Sequence, residues 1–546
     1  MVEQEFQQKT KTLIDSLKTI CASYGLGNDV SEFKIITQVF LYKFLNDKFA
    51  FEAKKINASL AKTDKWEDSF TNLGEEAQTM LQMQMPADTA RLKPEHFINT
   101  LFNQQNTADF AKTFDDTLID IAINNNDVFA VKTDGGAKVV LFDRISQYIA
   151  DDAKRDAFCR AIINKLVEFS FERIFTQKFD FYATIFEYLI KDYNSNSGGK
   201  YAEYYTPHAV ARIMAAILVP QAQQGQIKNV SCYDPSAGSG TLLMNVAHAI
   251  GENRCSIYTQ DISQKSANLL RLNLILNNLV HSIPNVIQGD TILHPYHKDD
   301  GNKLKRFDYI VSNPPFKLDF SDIREQLDSK ENKTRFFAGI PKTPPKDKNK
   351  MAIYQLFLQH IITSLKADGK AAVVVPTGFI TAQSGIDKKI RQKLVDNKML
   401  AGVVSMPSNI FATTGTNVSI LFIDGSNKAD VVLIDASNLG QKIKDGKNQK
   451  TLLSEAEEQS IIDVFNGKQA QEDFSVAISY ADIAAKNYSL SAGQYFDVKI
   501  DCVDITPAEF TAKMQGFSER LEGLFSQSQT LEAVLKKQLA GLKYDH

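Results

Sequence analysis

Short apolar runs rich in β-branched residues recur through the middle of the chain, and most close on a polar or acidic residue. Val230-Ser231-Cys232-Tyr233-Asp234, Cys255-Ser256-Ile257-Tyr258-Thr259-Gln260-Asp261, residues 285–291 and Phe307-Asp308-Tyr309-Ile310-Val311-Ser312 read as strands. The last is apolar on both faces, as a buried parallel strand would be. Residues 371–376, 401–407, 418–423 and 431–434 read as later strands completing a mixed sheet. Met244, Val246 and Ile250 continue a helix behind the first of these strands. Strands alternating with helices predict an α/β domain over residues 166–440, entered through a glycine-marked loop at 194–200.

The flanks follow a different period. Residues 3–24, and Val39, Phe40, Phe44 and Leu45, carry helical spacing, which predicts an N-terminal helical domain over 1–165. Within it, the polar stretch 109–136 reads as connections ending in the turn signal Asp134-Gly135-Gly136. Residues 441–504 read as a connecting segment, and 505–546 as a C-terminal helix. Thr506-Pro507-Ala508-Glu509 is a capping box with proline at the first helical position. Phe510, Met514, Phe517, Leu521, Leu524, Leu531, Leu535, Leu539 and Leu542 then recur mostly at three- and four-residue steps, broken at Ser528. Such a seam either docks on its own domain or enters a helix bundle with another chain.

Two strand ends carry chemistry. Asn313-Pro314-Pro315-Phe316 follows the buried strand 307–312, at the carboxyl end where open α/β sheets place their sites. Alone, Asn-Pro-Pro is a turn. Here its prolines offer carbonyls without competing N–H groups, beside the Asn313 amide and a flat apolar ring. That combination suits a planar base with an exocyclic amino group. Upstream, Asp234-Pro235-Ser236-Ala237-Gly238-Ser239-Gly240-Thr241 joins a strand to a helix. Its glycines permit close backbone approach, and the helix start presents free N–H groups. The spacing is neither the three-glycine dinucleotide fingerprint nor a P-loop. Asp234 would oppose a pyrophosphate but suits an ammonium or sulfonium. Asp261 stands about twenty residues beyond, where Rossmann-like sheets place a ribose-binding acid, and Asp290 closes the following strand. Either acid alone reads as a loop residue or helix cap.

Together these motifs resemble the S-adenosylmethionine and catalytic motifs of amino-group DNA methyltransferases. Glu203-Tyr204-Tyr205-Thr206-Pro207-His208, ahead of the glycine loop, resembles the segment closing over the methionine end of the cofactor in the adenine-N6 branch. The longer resemblance is to the modification subunit of type I restriction-modification systems. It takes in Leu41-Tyr42-Lys43-Phe44-Leu45-Asn46-Asp47-Lys48-Phe49, Phe186-Glu187-Tyr188-Leu189-Ile190, Leu365-Lys366, Met406-Pro407-Ser408-Asn409-Ile410-Phe411 and Tyr488-Ser489-Leu490-Ser491. The family often has arginine at His208 and glutamate at Asp261.

The resemblance implies a Rossmann-like methyltransferase sheet that uses S-adenosyl-L-methionine to methylate adenine N6 in double-stranded DNA. Asn313 and Pro314 would accept from the target amine, and the flipped base would stack on Phe316. Residues 203–208 and 234–241, with Asp261 on the ribose and Asp290 on the adenine, would hold the cofactor. No metal is required. The implied partners are a specificity subunit, with two copies of this chain to each, and a restriction subunit that cleaves, because the chain carries no helicase P-loop or recognisable nuclease motif. Two other readings compete: an amino methyltransferase acting on glutamine or RNA, and a non-catalytic scaffold of a defence complex.

Charge and cysteines sharpen the picture. The 546 residues carry a net charge of −3, little for a chain gripping phosphates alone, so a DNA-reading partner is expected. Residues 317–350 run against the balance, with nine Lys or Arg against six Asp or Glu. They read as a solvated insertion or as a mobile DNA-contacting lid. Five scattered cysteines without paired spacing, and no apolar run long enough for a membrane, point to a reducing cytoplasm.

Overall fold

The computed structural model describes residues 2–27, 30–63, 65–172, 175, 206–411, 417–445, 448–496 and 505–540. Two compact units are present, Met1–Tyr495 and Phe496–His546.

The first unit is built on one sheet. In chain order its strands and two small hairpins are β1 (Val131–Thr133), β2 (Lys138–Val139), β3 (Val230–Asp234), β4 (Cys255–Asp261), β5 (Val286–Gln288), β6 (Lys298–Asp299), β7 (Lys303–Leu304) and β8 (Phe307–Ser312). There follow β9 (Leu365–Pro376), β10 (Leu400–Ser405), β11 (Val418–Asp424), β12 (Val431–Asp435), β13 (Gln441–Asp445), β14 (Asn448–Leu452) and β15 (Ser475–Ile478). Eleven of them form the order β15-β12-β10-β11-β9-β8-β3-β4-β5-β1-β2. The block from β1 through β5, β4, β3, β8 and β9 is parallel. β11 runs against both β9 and β10, so β10 and its parallel neighbour β12 point the same way as β8. Strands β3 to β5 step outward in one direction while β8 and β9 step in the other. The gap between β3 and β8 is therefore the topological switch point, where open α/β sheets bind their ligands.

The strands anticipated from apolar runs are present within a residue or two, except that β5 covers only the middle of 285–291 and β9 begins six residues before 371. The stretch 109–136 is not a connection. It forms a helix, Phe110–Asn124, a short turn and then β1, which extends the sheet beyond β5. Phe110, Phe114, Leu118 and Ile121 are all buried on one face of that helix. Three aspartates between them hide the stripe from a polarity-based reading, and Asp115 turns inward to accept from the N–H groups of Ile145 and Ser146. The nominally helical N-terminal region thus contributes two strands.

Helices of this region share one hydrophobic core with the sheet. The charged positions of the segment 41–49 are internal to it, inside the helix Val30–Ile56. Lys43 pairs with Asp47 at 2.9 Å, Lys48 with Asp88 at 2.5 Å, and the Asn46 side-chain oxygen accepts from Ile98 N–H. These polar residues act in packing. Arg271, buried on the helix Gln264–Leu276, donates to the carbonyls of Val139 and Val140 at 3.0 Å and so ties that helix to β2 and the residue after it.

Residues 317–350 are neither simply solvated nor loosely attached. Phe320, Leu327 and Phe336 bury against Ile292, Met351, Ile353, Leu356 and Phe357. Arg335, also buried, donates to the carbonyls of Thr291 and Ile292 at 2.6 Å and to His360 Nδ1 at 3.0 Å. The His360 Nε2 lies 3.1 Å from the Tyr233 hydroxyl on β3.

The second unit consists, among its described residues, of the helix Pro507–Ala540, thirty-four residues and about 50 Å long. Thr506 and Glu509 make the expected reciprocal cap: Thr506 N–H donates to Glu509 Oε2 at 2.8 Å, and Glu509 N–H donates to Thr506 Oγ1 at 3.3 Å. Phe510, Met514, Phe517, Leu521, Leu524, Leu531, Leu535 and Leu539 are exposed along it, joined by Phe525 and Val534. Leu542 lies outside the described residues. No described helix is long and apolar enough to cross a membrane.

Candidate active site

β3 and β8 deliver their last residues to the switch point side by side, and the two motifs meet there. Ser236 Oγ lies 2.7 Å from Ser312 Oγ, bridging the glycine loop to the strand that carries Asn313. Thr206, Asp234, Ser236, Ala237 and Gly238 line a small open pocket, together with Ser239, Thr241, Leu242 and Asn313.

The glycine loop is shaped by backbone requirements. Gly238 and Gly240 have φ of 53° and 85°, the left-handed region that side chains with a Cβ rarely adopt. At Gly240 a Cβ would also lie 2.2 Å from Leu270 Cδ1. The Gly240 N–H closes the turn onto the Ala237 carbonyl at 2.8 Å, and the helix Thr241–Ile250 starts at once. Asn273, fully buried on the neighbouring helix, donates to the Ser239 carbonyl at 2.6 Å, and the Thr291 hydroxyl donates to the Pro235 carbonyl at 2.7 Å. Neither support was anticipated. A signal exists for Asn273, a polar residue among Leu269, Leu270, Leu272, Leu274 and Ile275.

Two carboxyls meet this loop. Burial pushes Asp234 up to about 7, with Asp261 adding repulsion, while the N–H of Ser236 (2.9 Å) and the Ser312 hydroxyl pull it back. Asp261 is likewise raised by burial; its Oδ2 accepts from Gly238 N–H and its Oδ1 from Ser263 N–H, both at 2.9 Å. Among the described residues no cation contributes to either group. A buried acid lacking a cation is a place where a positively charged ligand would be welcome. The N–H groups at the start of the helix Thr241–Ile250 favour negative charge on the same ligand. A donor set of this kind fits the zwitterionic, sulfonium-bearing end of S-adenosylmethionine.

Asn313 follows β8 half-exposed, with Pro314 buried, Pro315 exposed and Phe316 half-buried. Its side-chain nitrogen donates to Thr206 Oγ1 at 3.2 Å, leaving the amide oxygen as the acceptor. The Phe316 ring meets Tyr354 edge-on at 6.2 Å, and the Tyr354 hydroxyl donates to the Asp387 carboxylate at 2.9 Å.

Of the residues expected in the site, Thr206, Asp234, Ser236 to Ser239, Thr241 and Asn313 gather in the pocket. Asp261 stands behind it, braced on Gly238. Asp290 closes a turn through Oδ1, which accepts from Ile292 and Leu293 N–H. Pro207 and His208 begin the helix His208–Leu218. Glu203, Tyr204 and Tyr205 lie outside the described residues. Among the described residues Glu95, His96 and Asp120 bring possible ligand atoms together, but Asp120 already receives Lys93 and His96 at 2.7 Å.

Comparison with known proteins settles the family. Residues 177–501, more than half of the chain, match the model of the N-6 DNA Methylase family. The chain belongs to that family. The N-6 DNA methylase match extends across the glycine loop, Asn313–Phe316 and the later strands. The chain is 30% identical over 325 residues to the type I restriction enzyme MpnII methylase subunit of Mycoplasma pneumoniae, covering 58% of this chain and 57% of that one. It thus spans little more than half the length of that relative. It is 28% identical over 401 residues to the MjaIX methylase subunit of Methanocaldococcus jannaschii, covering 70% of this chain and 67% of that one. The crystal structure of a type I restriction-modification methyltransferase subunit from Streptococcus thermophilus superposes with a TM-score of 0.68 at 20% identity, covering 91% of this chain and all of that one, a likeness of fold.

Proposed function

We propose that this N-6 DNA methylase transfers a methyl group from S-adenosylmethionine to adenine N6 in double-stranded DNA, in the cytoplasm, as the modification subunit of a type I restriction-modification complex. In that role it protects host DNA and is required for restriction by the full assembly. The observation that carries the reading is the position of Asn313, at the end of β8 beside the switch point, with its amide nitrogen engaged by Thr206.

When bound, S-adenosylmethionine supplies a methyl group activated by the sulfonium charge. The chain's own residues do the rest by position. The Asn313 oxygen and the Pro314 carbonyl accept the two N–H groups of the target amine and turn its lone pair toward the methyl. Fixed acceptors of this kind need no reorganisation during reaction. Adenine reaches them only when flipped from the duplex, and Phe316, in T-shaped contact with Tyr354, offers it an aromatic ring to stack on. Asp234 and the N–H groups at the start of the helix Thr241–Ile250 orient the charged end of the cofactor. Asp261, through Gly238, holds the loop in shape and retains lone pairs for the ribose; the adenine contact of Asp290 belongs to this proposal as well.

Partners follow from charge and from the second unit. A near-neutral chain needs a DNA-reading companion, and the exposed apolar seam of Pro507–Ala540 suits a helical one. We assign it to a specificity subunit joining two copies of this chain, with a separate restriction subunit for cleavage. Mass spectrometry of host DNA with and without the gene and its neighbours tests the reading. N6-methyladenine should vanish on deletion; an unchanged level contradicts it.

A further inference from the structure

The hairpin β13–β14 stands on the same edge of the sheet as Asn313. It follows the carboxyl end of β12, which points the same way as β8. Its base is fixed beside the carboxyl end of β10: Thr451 N–H donates to the Asn409 carbonyl at 3.1 Å, and the Thr451 hydroxyl to the Ser408 carbonyl at 2.6 Å. On the other side Gly440 N–H donates to Glu457 Oε1 at 2.8 Å. In the sheet order β12 lies four strands from β8, and β10 three. At about 4.8 Å per strand the hairpin base is about 15–20 Å along the edge from the catalytic loop.

The ribbon is cationic in a chain that is not. Lys442, Lys444 and Lys450 stand on it against one acid, Asp445, and among the described residues none of the three lysines is in an ion pair. Pairing places Lys442 and Lys444 on one face, opposite Thr451 and Gln449, and Lys450 on the other, opposite Ile443. Cations on both faces suit a setting with negative charge on both sides. A two-stranded ribbon fits the major groove of B-DNA, whose walls are phosphate on either side. A duplex presented to Asn313 and running along this edge carries about ten phosphate charges over about 15–20 Å.

We propose that the β13–β14 hairpin enters a groove of the DNA duplex about 15–20 Å from the flipped base, with Lys442, Lys444 and Lys450 on its phosphates. The inference rests on the DNA-directed reading above and adds to it the surface and course of the duplex.

The test compares the full chain with the variant Lys442→Gln/Lys444→Gln/Lys450→Gln, measuring affinity for a short duplex across a salt series and S-adenosylmethionine binding by calorimetry. The slope of log affinity against log salt should become shallower by about 0.9 for each phosphate that the variant no longer neutralises. Cofactor affinity should not change. The charge-keeping variant Lys442→Arg/Lys444→Arg/Lys450→Arg should retain the wild-type slope, which separates lost charge from a damaged hairpin. An unchanged slope in the glutamine variant, with cofactor binding intact, overturns the proposal while leaving the methyltransferase reading in place. So does an unchanged slope accompanied by loss of assembly with the partner subunit, which would assign the hairpin to a protein interface. Absence of any duplex binding by the wild-type chain, alone and in its complex, overturns both.

Discussion

Asn313 Nδ2 donates to Thr206 Oγ1 across 3.2 Å, joining two segments that lie 107 residues apart in the chain. The bond sets which end of the Asn313 amide faces outward, and the proposed methyl transfer uses the oxygen. Thr206 is buried and ends the segment leading into the helix His208–Leu218, so the orientation of the Asn313 amide depends on a part of the chain outside its own loop.

Thr206→Val keeps the shape and removes the acceptor. A neutral hydrogen bond contributes about 0.5–1.5 kcal/mol, so single-turnover methyl transfer should slow about two- to twelvefold while the unfolding transition stays in place. A transfer rate equal to wild type would show that Thr206 does not orient Asn313.

Gly240→Ala should destabilise the protein by about 1–3 kcal/mol through its positive φ, and further through the clash with Leu270 Cδ1. Combining it with Leu270→Ala removes the clash but not the backbone cost. Urea unfolding of the double variant should therefore show less loss than the sum of the two single losses. Strict additivity would mean that the loop moves away from Leu270.

Asp234 gives a pH signature. Its folded value, near 7, lies above the ordinary carboxylate value of 3.8. The folded state then binds the extra proton between those limits, and the contribution of this group to stability falls as pH rises through that window. A cationic ligand reverses the preference by favouring the carboxylate. Affinity for S-adenosylmethionine should thus climb as pH rises toward 7, by up to about tenfold per pH unit well below that value. In Asp234→Asn this component should be missing. Identical pH profiles for the two proteins, measured by calorimetry, would remove Asp234 from the ligand.

Much of the sheet was legible because β8, β11 and β12 are buried on both faces and so read as nearly continuous apolar runs. The Asn313–Phe316 loop and the glycine loop were legible because proline and glycine impose local geometry that the sequence displays. The helix Phe110–Asn124 was not, since Asp115, Asp116 and Asp120 dilute its apolar stripe below what a polarity reading detects. Arg335 likewise read as one more charge in a solvated run, although it is buried against the Thr291 and Ile292 carbonyls. The partner of a buried guanidinium is set by tertiary approach, which no local pattern encodes. Asp261 was placed correctly at the end of β4, but its bond to Gly238 depends on the β3–β4 register and became visible only in three dimensions.

Removal of residues after Thr506 addresses assembly. The helix Pro507–Ala540 belongs to the second unit, and the glycine loop and Asn313 belong to the first. The shortened chain should keep its cofactor affinity and lose co-purification with the proposed specificity subunit, since an amphipathic helix recognises its partner through its apolar anchors. Normal co-purification would show that the seam plays no part in the complex.

The most direct measurement is methyl transfer by Asn313→Ala within the assembled complex, scored as N6-methyladenine in enzymatically digested duplex DNA, with cofactor binding measured on the same preparation. Removing one preorganised oxyanion-hole donor costs about 2.7–4 kcal/mol in other enzymes, and a fixed acceptor acting by the same preorganisation should count alike. The rate should therefore fall about a hundredfold or more while S-adenosylmethionine affinity stays near wild type. A rate within threefold of wild type would contradict the role assigned to Asn313.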